Sequence, residues 1–167
     1  RQLEDNCGVC DTISENDCLQ YNLSLDGVDL ISFYALPEDN SVENIFSDLE
    51  DLSPGILGEG SSANYVDGLW LGSLLTIKPE DGYWVVINDE ADLYIEGIPT
   101  DPSLVYDLQQ FTNLISYPFA GSSLIVETIP TDAQPSIDGI LGEGLAAMNS
   151  EDGWIGGLTH LSGTDGY

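Results

Sequence analysis

Gly55-Ile56-Leu57-Gly58-Glu59-Gly60 returns unchanged 84 residues later as Gly139-Ile140-Leu141-Gly142-Glu143-Gly144. The same offset carries Leu30-Ile31-Ser32 onto Leu114-Ile115-Ser116, Trp70 and Gly72 onto Trp154 and Gly156, and Asp81-Gly82-Tyr83 onto Asp165-Gly166-Tyr167. From residue 30 to 83 no gap is needed, and 20 of 54 positions are identical, which chance does not produce. One unit has been duplicated. Two copies of this size suit small β domains better than the roughly 20 to 50 residue period of a solenoid.

Within a unit the signals are mostly strand. Leu23 to Leu36 is rich in apolar residues and Leu69 to Ile77 alternates around Trp70. Gly82 to Ile87 followed by Ala91 to Gly97 reads as a hairpin turned by Asn88-Asp89-Glu90. Val42, Ile45, Phe46 and Leu49 fall at helical spacing behind Ser41, which predicts one short capped helix. Its partner in the second unit contains Pro130 and Pro135, so that helix is expected to be shorter or broken. The fold expected is therefore mainly β: two tandem homologous β-sandwich-like or barrel-like domains, each with one short helix, behind an acidic cysteine-containing segment. The boundaries are residues 1–20 for the segment, 21–97 for the first repeat, 98–105 for a linker stiffened by Pro99 and Pro102, and 106–167 for the second repeat.

After Tyr83 the first unit continues into the apolar strands Trp84-Val85-Val86-Ile87 and Leu93-Tyr94-Ile95; after Tyr167 nothing corresponds. Two readings stand. Either the second unit lacks its last hairpin and offers a site for strand addition by another chain, or the sequence simply stops there. In the first reading a strand bearing Tyr21, Leu23 and Leu25 from one subunit fills a groove near Gly166 and Tyr167 of the next. Such a contact is heterologous and propagates as a filament.

Charge narrows the function. The chain carries 30 acids against Arg1 and Lys78, a formal net charge of -28. Two cations cannot make the basic footprint that nucleic acid requires, and an anionic bilayer repels such a surface. No apolar run approaches the roughly 20 residues of a membrane-spanning helix. Leu, Ile, Val and Phe make up 48 of 167 residues, enough for a packed core despite the charge.

The first 20 residues differ in composition: Asp5, Asp11, Glu15 and Asp17 are interleaved with Cys7, Cys10 and Cys18. Zinc would need a fourth Cys or His nearby, and a redox pair would sit between a strand and a helix. Acids among cysteines fit a calcium-clamped, disulfide-stapled segment, with the four acids as ligands, and disulfides imply export. Cys18 pairs with Cys7 or with Cys10, leaving the third for another chain; spacing does not choose. Acids that are merely solvated are the competing reading, because the spacing is not that of an EF-hand.

Asp5-Asn6-Cys7-Gly8-Val9-Cys10-Asp11 resembles the DxCGVC segments, similar to thrombospondin type 3 calcium repeats, of large secreted proteins of aquatic bacteria. Leu30-Ile31-Ser32-Phe33, Gly55 to Gly60, Trp70 to Leu74 and Gly82-Tyr83-Trp84 are similar to the tandem β repeats beside such segments. The resemblance spans nearly the whole chain. It implies an extracellular location and a role in surface or fibre architecture, with no catalytic residues. The family pattern continues past Tyr167 to a Trp and includes a signal peptide and a sorting domain, so Arg1 and Tyr167 are expected to bound a processed or excised piece of a precursor.

Other candidate chemistry is weak on residue grounds. His160 has Thr76 as its counterpart and no nucleophile elbow beside it, so an ordinary histidine is expected. Glu59 and Glu143 could be nominated as a glycosidase pair, but each unit has its own copy, which favours turn hydrogen bonding or an ion site. Trp70 and Trp154 are expected in the core and not in a sugar-stacking platform. Lys78 reads as an exposed turn residue, and Asn22-Leu23-Ser24 as a single glycosylation sequon at Asn22. The function expected is non-enzymatic: a calcium-containing extracellular fibre or surface subunit whose partner is a second copy of itself. A calcium-dependent adhesin, or a glycan-binding accessory module, is the alternative.

Overall fold

The computed structural model describes residues 3–4, 10–11 and 18–167. The short strands β1 (Leu3–Glu4) and β2 (Cys10–Asp11) pair antiparallel with each other. The rest is mainly β, in antiparallel sheets. Its first half holds β3 (Leu19–Leu25), β4 (Val28–Ile31), β5 (Ala35–Leu36), α1 (Val42–Ile45), a 3-10 turn over Ser47–Leu52, β6 (Gly55–Gly58), β7 (Ser61–Val66), β8 (Leu69–Gly72), β9 (Tyr83–Val86) and β10 (Ala91–Pro99). Among the described residues no helix is long and apolar enough to cross a membrane.

These strands form two layers. One is the sheet β3-β10-β5, the other the five-stranded sheet β4-β9-β6-β7-β8. Leu23, Leu25, Leu93 and Ile95 of the first layer face Ile31, Ile56, Ala63, Tyr83 and Val85 of the second in one buried cluster. Burying both inner faces against each other is the ordinary solution for half-apolar sheets. The hairpin expected from Gly82 to Gly97 does not form: β9 pairs with β4 and β6, while β10 pairs with β3 and β5. Each strand has its own alternating apolar face, and the core is served when those faces oppose across it instead of lying edge to edge. Asn88-Asp89-Glu90 is thus a corner between layers. β10 also runs to Pro99, two residues into the expected linker.

Local chemistry sets the elements. Ser41 is extended and its hydroxyl accepts the Asn44 amide at 3.2 Å, which caps α1. Val42, Ile45, Phe46 and Leu49 are buried, so the helical spacing serves the core even though the α-helix lasts one turn. Asp67 and Gly68 both take positive φ, 52° and 83°, the signature of the two-residue turn that joins β7 to β8.

The second half contains β11 (Ser122–Leu124), α2 (Ile125–Thr128), a 3-10 turn over Gln134–Ser136, β12 (Gly139–Gly142), β13 (Leu145–Ser150), β14 (Gly153–Gly156) and β15 (His160–Ser162). β12, β13 and β14 are β6, β7 and β8 shifted by 84, with the same pairing register. The helix departs from that offset. Val42 N–H donates to Leu75 and Ile125 N–H to Thr159, so α2 is matched by 83 residues, a slip invisible in the gapless sequence match. Pro130 ends it: Ile129 is extended (φ -84°, ψ 121°), as a residue before proline prefers. A second buried cluster of Tyr117, Ile125, Ile129, Ile140, Ala147, Leu158, Leu161 and Tyr167 fills this half.

Candidate assembly surface

The two halves meet along a reciprocal seam. Gly82 N–H donates to Leu114 O at 3.1 Å, and Gly166 N–H to Leu30 O at 2.9 Å. Ser116 N–H donates to Glu80 O at 3.1 Å, and Ser32 N–H to Thr164 O at 3.0 Å. Leu114 N–H donates to Glu59 Oε2 at 3.0 Å, and Leu30 N–H to Glu143 Oε2 at 3.1 Å. Each pair of bonds exchanges partners under the 84-residue shift. That exchange is what a twofold axis produces in an isologous dimer, here within one chain.

The seam gives the Gly-Glu-Gly turns their role. Each carboxylate accepts an amide of the other half, so Glu59 and Glu143 join the halves through turn hydrogen bonds. Glu143→Ala is expected to cost about 1 kcal/mol, and Glu59→Ala somewhat less because its bond is more exposed; Gln at either site should recover most of it. Denaturant titration reads this. Equal stability of the wild type and both Ala variants would mean the bonds contribute nothing.

The residues expected to mediate assembly are engaged inside the chain. Tyr21, Leu23 and Leu25 lie on β3, paired with Ile95, Leu93 and Ala91. Tyr21 Oη donates to Ala35 O at 2.8 Å, and Leu23 and Leu25 are buried. Gly166 belongs to the seam. Tyr167 exchanges both backbone bonds with Ile115, and its hydroxyl, pushed up to about 12 by burial, accepts the Ser162 amide at 2.7 Å. Tyr21, Leu23 and Leu25 thus have β10 on one side, while the other edge of β3 has no strand against it among the described residues.

In the first half one edge of β6 is covered by β9, with Gly55, Ile56 and Leu57 opposite Val86, Val85 and Trp84. The same edge of β12 has no strand against it among the described residues. The outward sheet faces are also unusual. Register places Val28, Val86, Leu57, Asn64 and Leu71 on one side of the five-stranded sheet, away from buried Ile56, Ala63 and Val85. The second half presents Leu141, Met148 and Ile155 in the same way. Half or more of Leu71 and Ile155 is exposed, at 53% and 58%.

Cys18 is disulfide-bonded. Asp5, Cys7, Glu15 and Asp17 lie outside the described residues, and Cys10 and Asp11 are described only as strand. Among the described residues no group of three or more His, Cys, Asp or Glu is arranged to hold a metal. Asn22 is exposed on β3 opposite Tyr94, so its sequon faces solvent. His160 is exposed with Nδ1 at 2.9 Å from the Thr159 hydroxyl, and Lys78 lies 4.0 Å from Asp81. A polar cleft at the seam, lined by Ser24, Asp29, Glu143 and Asp165, has a volume of about 130 Å³, below the roughly 300 Å³ at which ligand pockets begin.

Trp70 and Trp154 pack against the two cores and form no exposed platform. They differ in one atom's fate. Trp70 Nε1 donates to Glu50 Oε1 at 3.1 Å, whereas Trp154 Nε1 is buried without an acceptor among the described residues. Gln134 stands where the first half has Glu50, and its amide donates to Ile129 O instead. Trp154→Phe should therefore cost about 1 kcal/mol less than Trp70→Phe in thermal unfolding, since it removes an unpaired donor instead of a bond. Equal losses would count against the difference.

The seam and its glycines escaped sequence reasoning. Leu-Ile-Ser and Asp-Gly-Tyr stood out as repeated, but repetition looks the same whether a motif pairs within its own copy or with the other. Comparison with known proteins returns no matching family model, no matching curated protein and no matching solved structure.

Proposed function

We propose that this chain is a non-enzymatic extracellular structural subunit that polymerises head to tail into a fibre or surface layer. The observation that carries this reading is a bare strand edge: β3, which bears Tyr21, Leu23 and Leu25, pairs with β10 on one side and with no strand on the other among the described residues. Unpaired N–H and C=O groups along a strand are a template for strand addition by a neighbouring subunit. In this reading the donor strand comes from residues before Leu19 of the neighbouring subunit. The disulfide at Cys18 supports an oxidising, extracellular setting.

The test is particle size. The full chain at about 0.5 M NaCl, where like charges are screened, should form elongated particles in electron micrographs and sediment as oligomers. A variant lacking residues 1–17, with Cys18→Ser, should remain monomeric. A monomer at every protein and salt concentration sinks the reading. Calcium belongs to the same proposal: ligation by Asp5, Asp11, Glu15 and Asp17 predicts that chelation lowers the melting temperature, and an unchanged melting curve removes the metal.

A further inference from the structure

We propose that the bare edge of β12 is a strand-binding site, filled by an extended polypeptide segment from outside residues 1–167 that is apolar in the manner of β9 and basic at its flanks. This edge is separate from that of β3, and the proposal holds whether or not copies polymerise.

The backbone of β12 is set for a second neighbour. Asn149 N–H donates to Asp138 O at 2.9 Å. Hydrogen-bonded pairs alternate along an antiparallel ladder, so Ile140 and Ala147, then Gly142 and Leu145, also bond each other. The N–H and C=O of Gly139 and Leu141 therefore point away from β13, along the edge that no strand covers among the described residues.

The duplicated half shows what such an edge takes. There Tyr65 N–H donates to Pro54 O at 2.9 Å, which by the same alternation turns Gly55 and Leu57 away from β7. Those two residues lie opposite Val86 and Trp84 of β9. Val85, opposite Ile56, is buried in the core between them. β9 is entered at Tyr83, which pairs with Ile31; Tyr167 likewise exchanges both backbone bonds with Ile115. The second half thus repeats the frame around β9, and the side chains that β9 covers in the first half are more open in the second. Ile56 and Tyr83 are 0% and 1% exposed, against 8% and 6% for Ile140 and Tyr167.

Register and charge define the occupant. Its residues opposite Leu141 and Gly139 supply backbone bonds, as Trp84 and Val86 do, and the β-branched residue between them faces Ile140. A carboxylate at that inward position would be buried without a partner. At a net charge of -28, with Asp138 beside Gly139, the chain draws in a segment with basic flanks and repels an acidic one. A second copy does not supply it, because copies repel and each copy's β9 is held between its own β4 and β6.

A peptide of residues 82–88 with two lysines added at each end tests this against the full chain at about 50 mM NaCl, where long-range attraction persists. It should bind one to one, and amide exchange at Gly139 and Leu141 should slow by about tenfold or more. N-methylation at Val86 removes a donor aimed at β12 and should abolish binding. N-methylation at Val85, whose amide points the other way, should leave binding intact. Both comparisons leave the protein unaltered. No binding at about 1 mM peptide, equal binding of the two methylated peptides, or slowed exchange at Gly55 and Leu57 in place of Gly139 and Leu141 would overturn the site. Polymerisation, which rests on β3, would stand.

Discussion

Replacing Gly72 or Gly156 by alanine should destabilise the protein strongly. These residues end β8 and β14 at φ 147° and 142°, angles that a Cβ disfavours. At each site the added methyl would overlap a backbone carbonyl, Ser62 O or Ala146 O. That carbonyl cannot step aside. Ser62 O accepts from both Ser73 N–H at 2.9 Å and Leu74 N–H at 3.0 Å, and Ala146 O accepts from Leu158 N–H at 3.0 Å. The bend made at each glycine is what turns Leu74 and Leu158 into their cores. Overlap with fixed backbone at a strained φ should cost at least about 3 kcal/mol, a large share of a typical domain's stability of about 5–15 kcal/mol. Gly144→Ala is the control. It too has positive φ, 69°, but its Cβ would meet open space, so its cost should be about 1–2 kcal/mol. Chemical denaturation of the three variants decides it; a Gly72→Ala loss no larger than that of Gly144→Ala would mean the close approach relaxes freely.

Alanine at Gly82 or Gly166 should strike the seam instead of a core. A Cβ at Gly82 would lie 2.7 Å from Ile115 O, and one at Gly166 2.7 Å from Ile31 O. Both carbonyls belong to the opposite half, so the methyl can be accommodated only by moving the halves apart. That stretches the amide bonds of Gly82 and Gly166 themselves and those of the buried Ser32 and Ser116 beside them. A cost of about 2 kcal/mol each is expected, nearly equal because the sites are related by the pseudo-twofold. Hydrogen exchange distinguishes this from general destabilisation: Ser32 and Ser116 amides should lose protection while Val85 and Ala147, inside the separate cores, keep theirs. Uniform loss across all four would show that the halves unfold as one and that the seam has no separate stability.

Much of the fold was legible because its signals are local. Alternation through Leu93-Tyr94-Ile95 and Tyr83-Trp84-Val85 marks strands whatever they pair with, and Ser41 caps a helix by a contact three residues away. Proline at 130 breaks the second helix for an equally local reason. Pairing is different in kind. Tyr83 to Val86 and Ala91 to Pro99 are adjacent in sequence and separated by a turn-like tripeptide, which describes a hairpin and a layer-crossing corner equally well. Which one forms depends on where the remaining apolar faces lie, and that is settled by residues 19–25 and 28–31, far away along the chain. The surroundings of Leu23 and Leu25 were out of reach for the same reason: both are apolar and near one end of the sequence, but only the fold pairs them with β10 and leaves the other edge of β3 without a strand among the described residues.

That a unit is repeated with an offset of 84, that its elements are mostly strands and that its acids far outnumber its cations can each be read one stretch of residues at a time, without knowing what packs on what. Tertiary structure alone decided that the repeats clasp each other through exchanged Glu59 and Glu143 contacts, and that the edge covered on β6 has no strand against it on β12 among the described residues. Those facts depend on which strand edges and faces end up covered. Coverage is a long-range outcome of packing, fixed only when the 84-residue copies meet.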